Sequence, residues 1–286
     1  MVTDKMTKAG NFADWSVAIP VFNAFDVVSR TLDCLLDSDV EGARILFLDD
    51  GSTDPNWVSF RDRAESAGCR YLRHETNQGY TVNINRAFVD PSKYVLLLNS
   101  DCLIQRSEIL QLVKTADTYP MLAGVGPLSN LAGSQSVAIA ARRSWLDLTN
   151  IEIAEAVKFL TPRLAWKFGR RPFIVPSVNG FCTLWRTEAV REVGAFDAVN
   201  FTRGYGEEDD LCFRLLEQGW LCAVAPWVLA IHFKTQSFSA AERNARKPLA
   251  MAVLERIYGR RFVGTVIEHF DSHPLFRQLT TAPADA

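Results

Sequence analysis

The sequence has no CxxC pair, no zinc-like Cys/His spacing and no dominant charge of either sign. Its 286 residues hold 31 Lys and Arg against 33 Asp and Glu, a formal net charge of −2. Phosphate backbones are bound through an excess of cations, so this balance excludes nucleic acid as a partner of the whole surface. Only local basic patches are left. The six cysteines (Cys34, Cys69, Cys102, Cys182, Cys212 and Cys222) are scattered. They read as reduced thiols of a core or site and imply a reducing compartment. An apolar signal core is missing from the polar stretch Met1 to Trp15. Long hydrophobic runs are missing too. The longest, Trp220 to Phe233, falls short of the ~20 residues of a membrane helix and is interrupted by Pro226. A soluble, cytoplasmic protein without a transmembrane segment is expected, with peripheral contact to the inner membrane left open.

Three familiar site motifs are absent as well. There is no GxxxxGK(S/T) loop, which excludes a P-loop NTPase. Gly124-Val125-Gly126 lacks the third glycine of a dinucleotide fingerprint, because that place is Ser129. No GxSxG elbow marks a serine hydrolase.

What is present is a chain 48% hydrophobic, enough to bury a substantial core. Apolar strand patterns at Val17 to Val21, Arg44 to Leu48, Arg70 to Arg73 and Tyr94 to Leu98 alternate with helical ones at Asp26 to Asp37 and Thr81 to Phe88. Such alternation predicts an α/β fold with a mostly parallel sheet covered on both faces. Ligands of such sheets bind beyond the carboxyl ends of the strands. Three strands end there in polar residues: Pro20 to Asn23, Asp49 to Ser52 and Asn99 to Asp101. The second half is less regular. A capping box at Thr149 to Glu152 opens a helix kinked or ended near Pro162. Val178 to Trp185 reads as a strand, Thr187 to Val193 and Glu207 to Gln218 as helices, Leu221 to Val224 as a last strand and Ser239 to Tyr258 as a helix. No repeat or low-complexity linker divides the chain, so one domain with an inserted region is expected.

Each candidate residue has a functional and a structural reading. Asp101, at the end of a buried strand, suits a hard cation bridging two phosphates, or a simple turn. Four adjacent acids, Glu207 to Asp210, are stabilised by a helix dipole, yet crowding raises their pKa values as general-base work requires. On a helix they fan out over a full turn and cannot share one role. His232 is a core histidine unless the fold brings it near Asp101. Asp49 to Asp54 either accepts from a nucleobase and ribose or caps a turn. Arg163, Lys167, Arg170 and Arg171, with Trp166 among them, meet an anionic or membrane-borne acceptor or form a solvated face. The same two readings hold for Arg243, Arg246, Lys247, Arg256, Arg260 and Arg261.

Taken in order, the strand with Pro20-Val21-Phe22-Asn23, then Leu48 to Asp54, Asn77-Gln78-Gly79 with Asn85, and Leu98 to Asp101 form a recognisable series. Gly194 to Asp197, Gly206 to Arg214 and His232 continue it. The series resembles glycosyltransferase family 2, the inverting GT-A-fold enzymes, and within it the rhamnosyltransferase-like members, over residues 15 to 240. The resemblance implies a nucleoside diphosphate-sugar donor (dTDP-, UDP- or GDP-linked), a glycan or lipid-linked acceptor and a divalent metal, Mn2+ or Mg2+. A place in surface polysaccharide or glycan biosynthesis goes with it. Residues 1–14 are then a polar lead, 15–128 the nucleotide-sugar-binding half, 129–240 the acceptor and catalytic half, and 241–286 a helical tail.

By position, Glu208 is the implied catalytic base, with Asp101 and His232 the metal ligands. The nucleotide is assigned to Pro20, Phe22, Asn23, Asp49, Asp50, Asn77, Gly79, Asn85, Asn99 and Ser100. The sugar and acceptor side is assigned to Gly180, Trp185, Phe196, Asp197, Glu207 and Asp210. Asn99 stands where the family's DxD motif has its first Asp, and Glu208 is one methylene longer than the commoner Asp. The rivals are a nucleotidyltransferase, which needs a glycine-rich, Arg-containing loop absent after Val21, and a catalytically silent GT-A-fold binding module.

Overall fold

The computed structural model describes residues 14–141, 144–202, 204–233 and 240–280. Most of the polar lead and Ser239, the expected start of the tail helix, lie outside the described residues. The first half runs β1 (Trp15–Val21), α1 (Phe25–Asp37), β2 (Ile45–Asp49), α2 (Trp57–Ser66), β3 (Arg70–Arg73), α3 (Tyr80–Asn85), β4 (Tyr94–Leu98), β5 (Cys102–Leu103) and α4 (Arg106–Thr118). It continues with β6 (Leu122–Ser129), α5 (Ala138–Ala141), α6 (Asn150–Phe168), β7 (Phe173–Val175), β8 (Cys182–Arg186), α7 (Thr187–Val193) and α8 (Glu207–Glu217). The chain then forms β9 (Leu221–His232), α9 (Ala240–Tyr258), α10 (Arg260–Ser272) and α11 (Pro274–Thr280).

The sheet has the order β3-β2-β1-β4-β8-β6-β9-β5, with β7 also on β9. β1, β2, β3 and β4 pair in parallel, whereas β8 runs antiparallel to both β4 and β6. The sheet is therefore mixed α/β, its parallel part lying in the first half. Pleating sends Ala18, Leu46 and Leu97 into one core, packed with Ile153, Val157 and Leu160 of α6. Their neighbours Val17, Phe47 and Leu96 face the opposite core, under Leu32 of α1 and Leu112 of α4. Strands covered on both sides must be apolar throughout, which explains the unbroken runs of β2 and β4. Leu275, Phe276 and Leu279 of α11 are buried in the same core as α6, so the end of the tail packs into the body.

Several boundaries differ from expectation for identifiable reasons. β9 continues past Val224 to His232, because the register with β6 shifts between Pro127 and Leu128 and admits Pro226 without breaking the pairing. α6 runs through Pro162 to Phe168 and ends at Gly169, since its inner face is held by the core. The expected strand from Val178 begins only at Cys182. The four residues before it form a loop, and that loop reaches the acids of α8.

Candidate active site

The sheet gathers the polar ends of β1, β2 and β4 along one edge, as the parallel register requires: Val21 lies opposite Asp49 and Ala18 opposite Leu97. Asp101 and His232 meet there although 131 positions of sequence separate them. The cause is the short antiparallel pair β5–β9, which sets Cys102 opposite His232. His232 Nε2 lies 3.2 Å from Asp101 Oδ1. Its other ring nitrogen, Nδ1, is 3.0 Å from the Leu131 carbonyl, and only a protonated Nδ1 can donate to that oxygen. In the neutral ring this leaves the Nε2 lone pair facing a carboxylate. Phe181 stacks on the ring at 5.4 Å and Asn130 holds the His232 backbone through both its amide ends. Two electron-pair donors aimed at one another suit a shared cation, with an oxygen and an imidazole ligand of the kind Mn2+ and Mg2+ accept. Among the described residues no group of three or more His, Cys, Asp or Glu could hold a metal alone.

The second corner is built by backbone capture. Asn23 adopts a left-handed conformation (φ 59) and its Oδ1 accepts from the amides of Thr53 and Asp54 at 2.8 and 2.9 Å. Asp50 is buried and accepts from Gln78 N at 2.8 Å and Gly79 N at 2.9 Å. Asn77 Oδ1 also accepts from Gly79 N. Gly79 sits at φ 99, and a Cβ there would lie 2.6 Å from the Thr202 carbonyl oxygen. The position accepts glycine alone because two backbone segments touch. These contacts lock the ends of β1, β2 and the Asn77–Gly79 loop into one edge, with Phe22 half exposed beside it.

The third corner is α8. Its four acids take different directions, as helical geometry demands. Asp210 accepts from both Arg214 and the Tyr258 hydroxyl. Asp209 accepts from the Ser177 hydroxyl. Glu208 Oε1 lies 3.4 Å from Gly180 N, and a Cβ on Gly180 would crowd it at 3.2 Å. Glu207 and Glu208 each keep a buried Oε2 with no hydrogen-bond partner. Burial, then the adjacent Glu208 charge, pushes the Glu207 carboxyl well above the usual range. Two adjacent buried carboxyls disfavour a second negative charge, which is the cause of that rise at Glu207. Burial and Glu208 likewise push Asp209 up to about 7.

Tyr80 joins the corners. Burial, followed by the charges of Glu207, Glu208 and Asp101, holds its phenol well above the usual value, so it stays a neutral donor. Its hydroxyl reaches toward Asn99 Oδ1 at 3.5 Å, the limit of a hydrogen bond. Asp101 and Glu208 therefore act on the same phenol.

Six residues expected at the site use their side chains elsewhere. Asp49 accepts from Ser52 N and the Tyr71 hydroxyl and faces Arg73, which closes the turn after β2. Asn85 clamps the backbone of Phe196 in both directions. Trp185 is 1% exposed, with the edge-on Phe196 ring 5.9 Å away; both lie in the core, away from any cleft. Asp197 caps the amides of Val199 and Asn200. Asp210 is paired with Arg214 as described. These residue types serve binding and turn-capping equally well, and only the tertiary contacts separate the two uses.

Four contributors had no expected role. Tyr80 and Ser177 touch the acids, Gln135 orders Asn179 beside Gly180, and His74 has a buried Nε2 without a partner just after β3. No motif marks Ser177 or Gln135. Tyr80 follows directly on Gly79 and could have been found from that adjacency.

With this geometry in view, comparison with known proteins is decisive. Residues 16–149 match the family model Glycosyl transferase family 2. Residues 16–149 carry a glycosyltransferase family 2 domain. The chain is 26% identical over 212 residues to N-acetylglucosaminyl-diphospho-decaprenol L-rhamnosyltransferase of Mycobacterium tuberculosis, covering 68% of this chain and 67% of that one. It is 30% identical over 225 residues to pre-mycofactocin glycosyltransferase of the same organism, covering 77% of this chain but 42% of the relative. The fold matches a mannosyltransferase of Pyrobaculum calidifontis solved with GDP-mannose and Mn2+, at a TM-score of 0.58 and 13% identity, over 95% of this chain and 84% of that one. The shared fold thus extends well beyond the matched residues.

Proposed function

We propose that the chain transfers a sugar from a nucleoside diphosphate-sugar to an acceptor hydroxyl with inversion at the anomeric carbon. The observation that carries this reading is the meeting of Asp101 and His232, 3.2 Å apart, at the polar edge of the sheet. Glu208, whose buried Oε2 has no hydrogen-bond partner, is the carboxylate proposed as the base. Asp101 and His232 would hold Mn2+ or Mg2+, whose role when bound is to offset charge on the leaving diphosphate. Glu208 accepts the proton of the acceptor hydroxyl, beside Glu207, whose carboxyl burial and the Glu208 charge hold well above the usual range. The acceptor oxygen forms the new bond to the anomeric carbon as the bond to the phosphate oxygen breaks, and that oxygen leaves with the electron pair. Tyr80 stays a neutral donor throughout. Asp50, Asn23 and Asn77 fix the loops that border the nucleotide.

The rhamnosyl and lipid-linked terms in the name of the mycobacterial relative favour a deoxyhexose donor and a polyprenyl-diphosphate acceptor in surface glycan assembly. Work at the cytoplasmic face of a membrane belongs to the same proposal. Among the described residues no helix is long and apolar enough to cross a membrane. A thermal-shift series with UDP, dTDP and GDP, each with and without Mn2+, tests the reading. One nucleotide should raise the melting temperature with metal, since a ligand of the native state at 100 times its Kd adds about 2.7 kcal/mol. Asp101→Ala should remove the metal dependence. Silence from all three nucleotides would sink the proposal.

A further inference from the structure

We propose that the outer face of α6, continued by Arg170 and Arg171, docks on the surface of an anionic lipid bilayer. The inner face of this helix is committed to the core through Ile153, Val157, Leu160 and Leu164. Its outer face carries the two aromatics Phe159, 56% exposed, and Trp166, 87% exposed. Seven residues apart, they stand within about 20° of one another on the helix. A solvent face gains nothing from such rings, whereas a headgroup boundary accepts the apolar body of a Trp and its polar N–H together.

Glu152 and Glu155 are exposed on the first turns of α6, and from Lys158 onward the charge is one-sided. Lys158, Arg163 and Lys167 are exposed on α6, and Arg170 and Arg171 follow at once. No Asp or Glu occurs between Glu155 and Glu188, in a chain whose overall net charge is −2. The Arg163 guanidinium lies 3.3 Å from the centre of the Phe159 ring and donates to the Phe159 carbonyl at 2.7 Å, so cation and aromatic form one surface. Basic residues interleaved with Trp and Phe on a helix lying flat are the pattern of an interfacial helix on acidic lipid. Like charge opposes a second copy of this face, and the rings stand on a convex helix.

The patch is tied to the active site by a short strand. From Arg171 to Ser177 is six residues, at most about 21 Å of extended chain. Ser177 donates to Asp209, the neighbour of Glu208. A bilayer held at α6 would therefore lie within reach of the base, which matters for an acceptor carried on a lipid. That last consequence rests on the proposed reaction; the docking does not.

Co-sedimentation of the full chain with vesicles tests it. Binding is expected to phosphatidylglycerol-rich vesicles and not to pure phosphatidylcholine, and it should weaken as salt is added. Replacing Arg163, Lys167, Arg170 and Arg171 by Gln should lower the affinity by about fivefold for each charge removed. Trp166→Ala should weaken binding with the charge unchanged. These side chains are exposed, and unchanged melting temperatures would verify that the variants fold. Equal binding to both vesicle types, or wild-type binding by the Gln variant, overturns the proposal. So does retention on RNA without retention on vesicles, or a dimer that Trp166→Ala dissociates in a chain that ignores vesicles. Binding is read directly, so failure of the transferase reading would leave these outcomes unchanged.

Discussion

The nucleotide corner and the acid corner of this site differ in how completely their polar atoms are paired. Both carboxylate oxygens of Asp50 accept backbone amides, and Asn23 Oδ1 accepts two more. At α8, by contrast, Glu207 and Glu208 each leave a buried oxygen without a donor. Full pairing makes the first corner rigid before any ligand arrives. Incomplete pairing at the second holds unfavourable electrostatics that only a proton or a hydroxyl donor can relieve. Rigidity for binding and unrelieved charge for chemistry are thus assigned to different elements, the strand ends and a helix start.

The comparison breaks first at Glu208. Glu208→Gln keeps the shape but cannot accept the proton, so transfer should fall by about 10² to 10⁴ in single-turnover assays. Donor affinity measured by calorimetry should hold. Near-full turnover would shift the base to another acid and erase the contrast between the corners. A smaller effect is expected at the paired corner. Asp50→Ala strands the amide of Gln78 and leaves that of Gly79 to Asn77 alone, and unfolding by urea should show a loss of about 2 kcal/mol, with donor binding lost in parallel. Stability unchanged within error would mean that the corner is not held by these bonds.

The smallest effect concerns Asp209, whose folded-state pKa rises from 3.8 to about 7, chiefly through burial and secondarily through Glu208. The folded protein then binds the proton more tightly than the unfolded chain does. Stability contributed by the protonated group is present at low pH and declines as pH rises from about 4 through about 7. Asp209→Asn removes that proton, so denaturation midpoints measured across this window should slope less steeply than those of the wild type. Parallel slopes would show that Asp209 is not the source.

Much of the fold was legible. The runs Ile45 to Leu48 and Tyr94 to Leu98 are apolar because both faces of a parallel strand are covered, and the capping box at Thr149 marks a helix start that is present. The family 2 domain was legible from the order of motifs. Less visible was the division of labour among similar residues. Asp49 and Asp50 are adjacent and identical, yet one closes a turn with Tyr71 and the other captures the Gln78 and Gly79 amides. Trp185 has the composition of a sugar platform but lies in the core, because strand alternation turns it toward Phe196. Ser177 carries no motif and reaches Asp209 only through the loop before β8.

The pairing of Asp101 with His232 was the feature most dependent on the fold. The sequence alone determined that Asp101 ends a buried strand and that His232 follows an apolar run, since burial pattern and strand length are local properties. It also determined that four acids begin one helix and must diverge. Tertiary structure decided that β5 and β9 pair antiparallel and bring Nε2 to 3.2 Å from a carboxylate, and that Gly180 lets Glu208 approach the backbone. The reason is physical: hydrophobic periodicity specifies which face of each element is buried, whereas the meeting of two distant polar side chains depends on register between strands that share no local sequence.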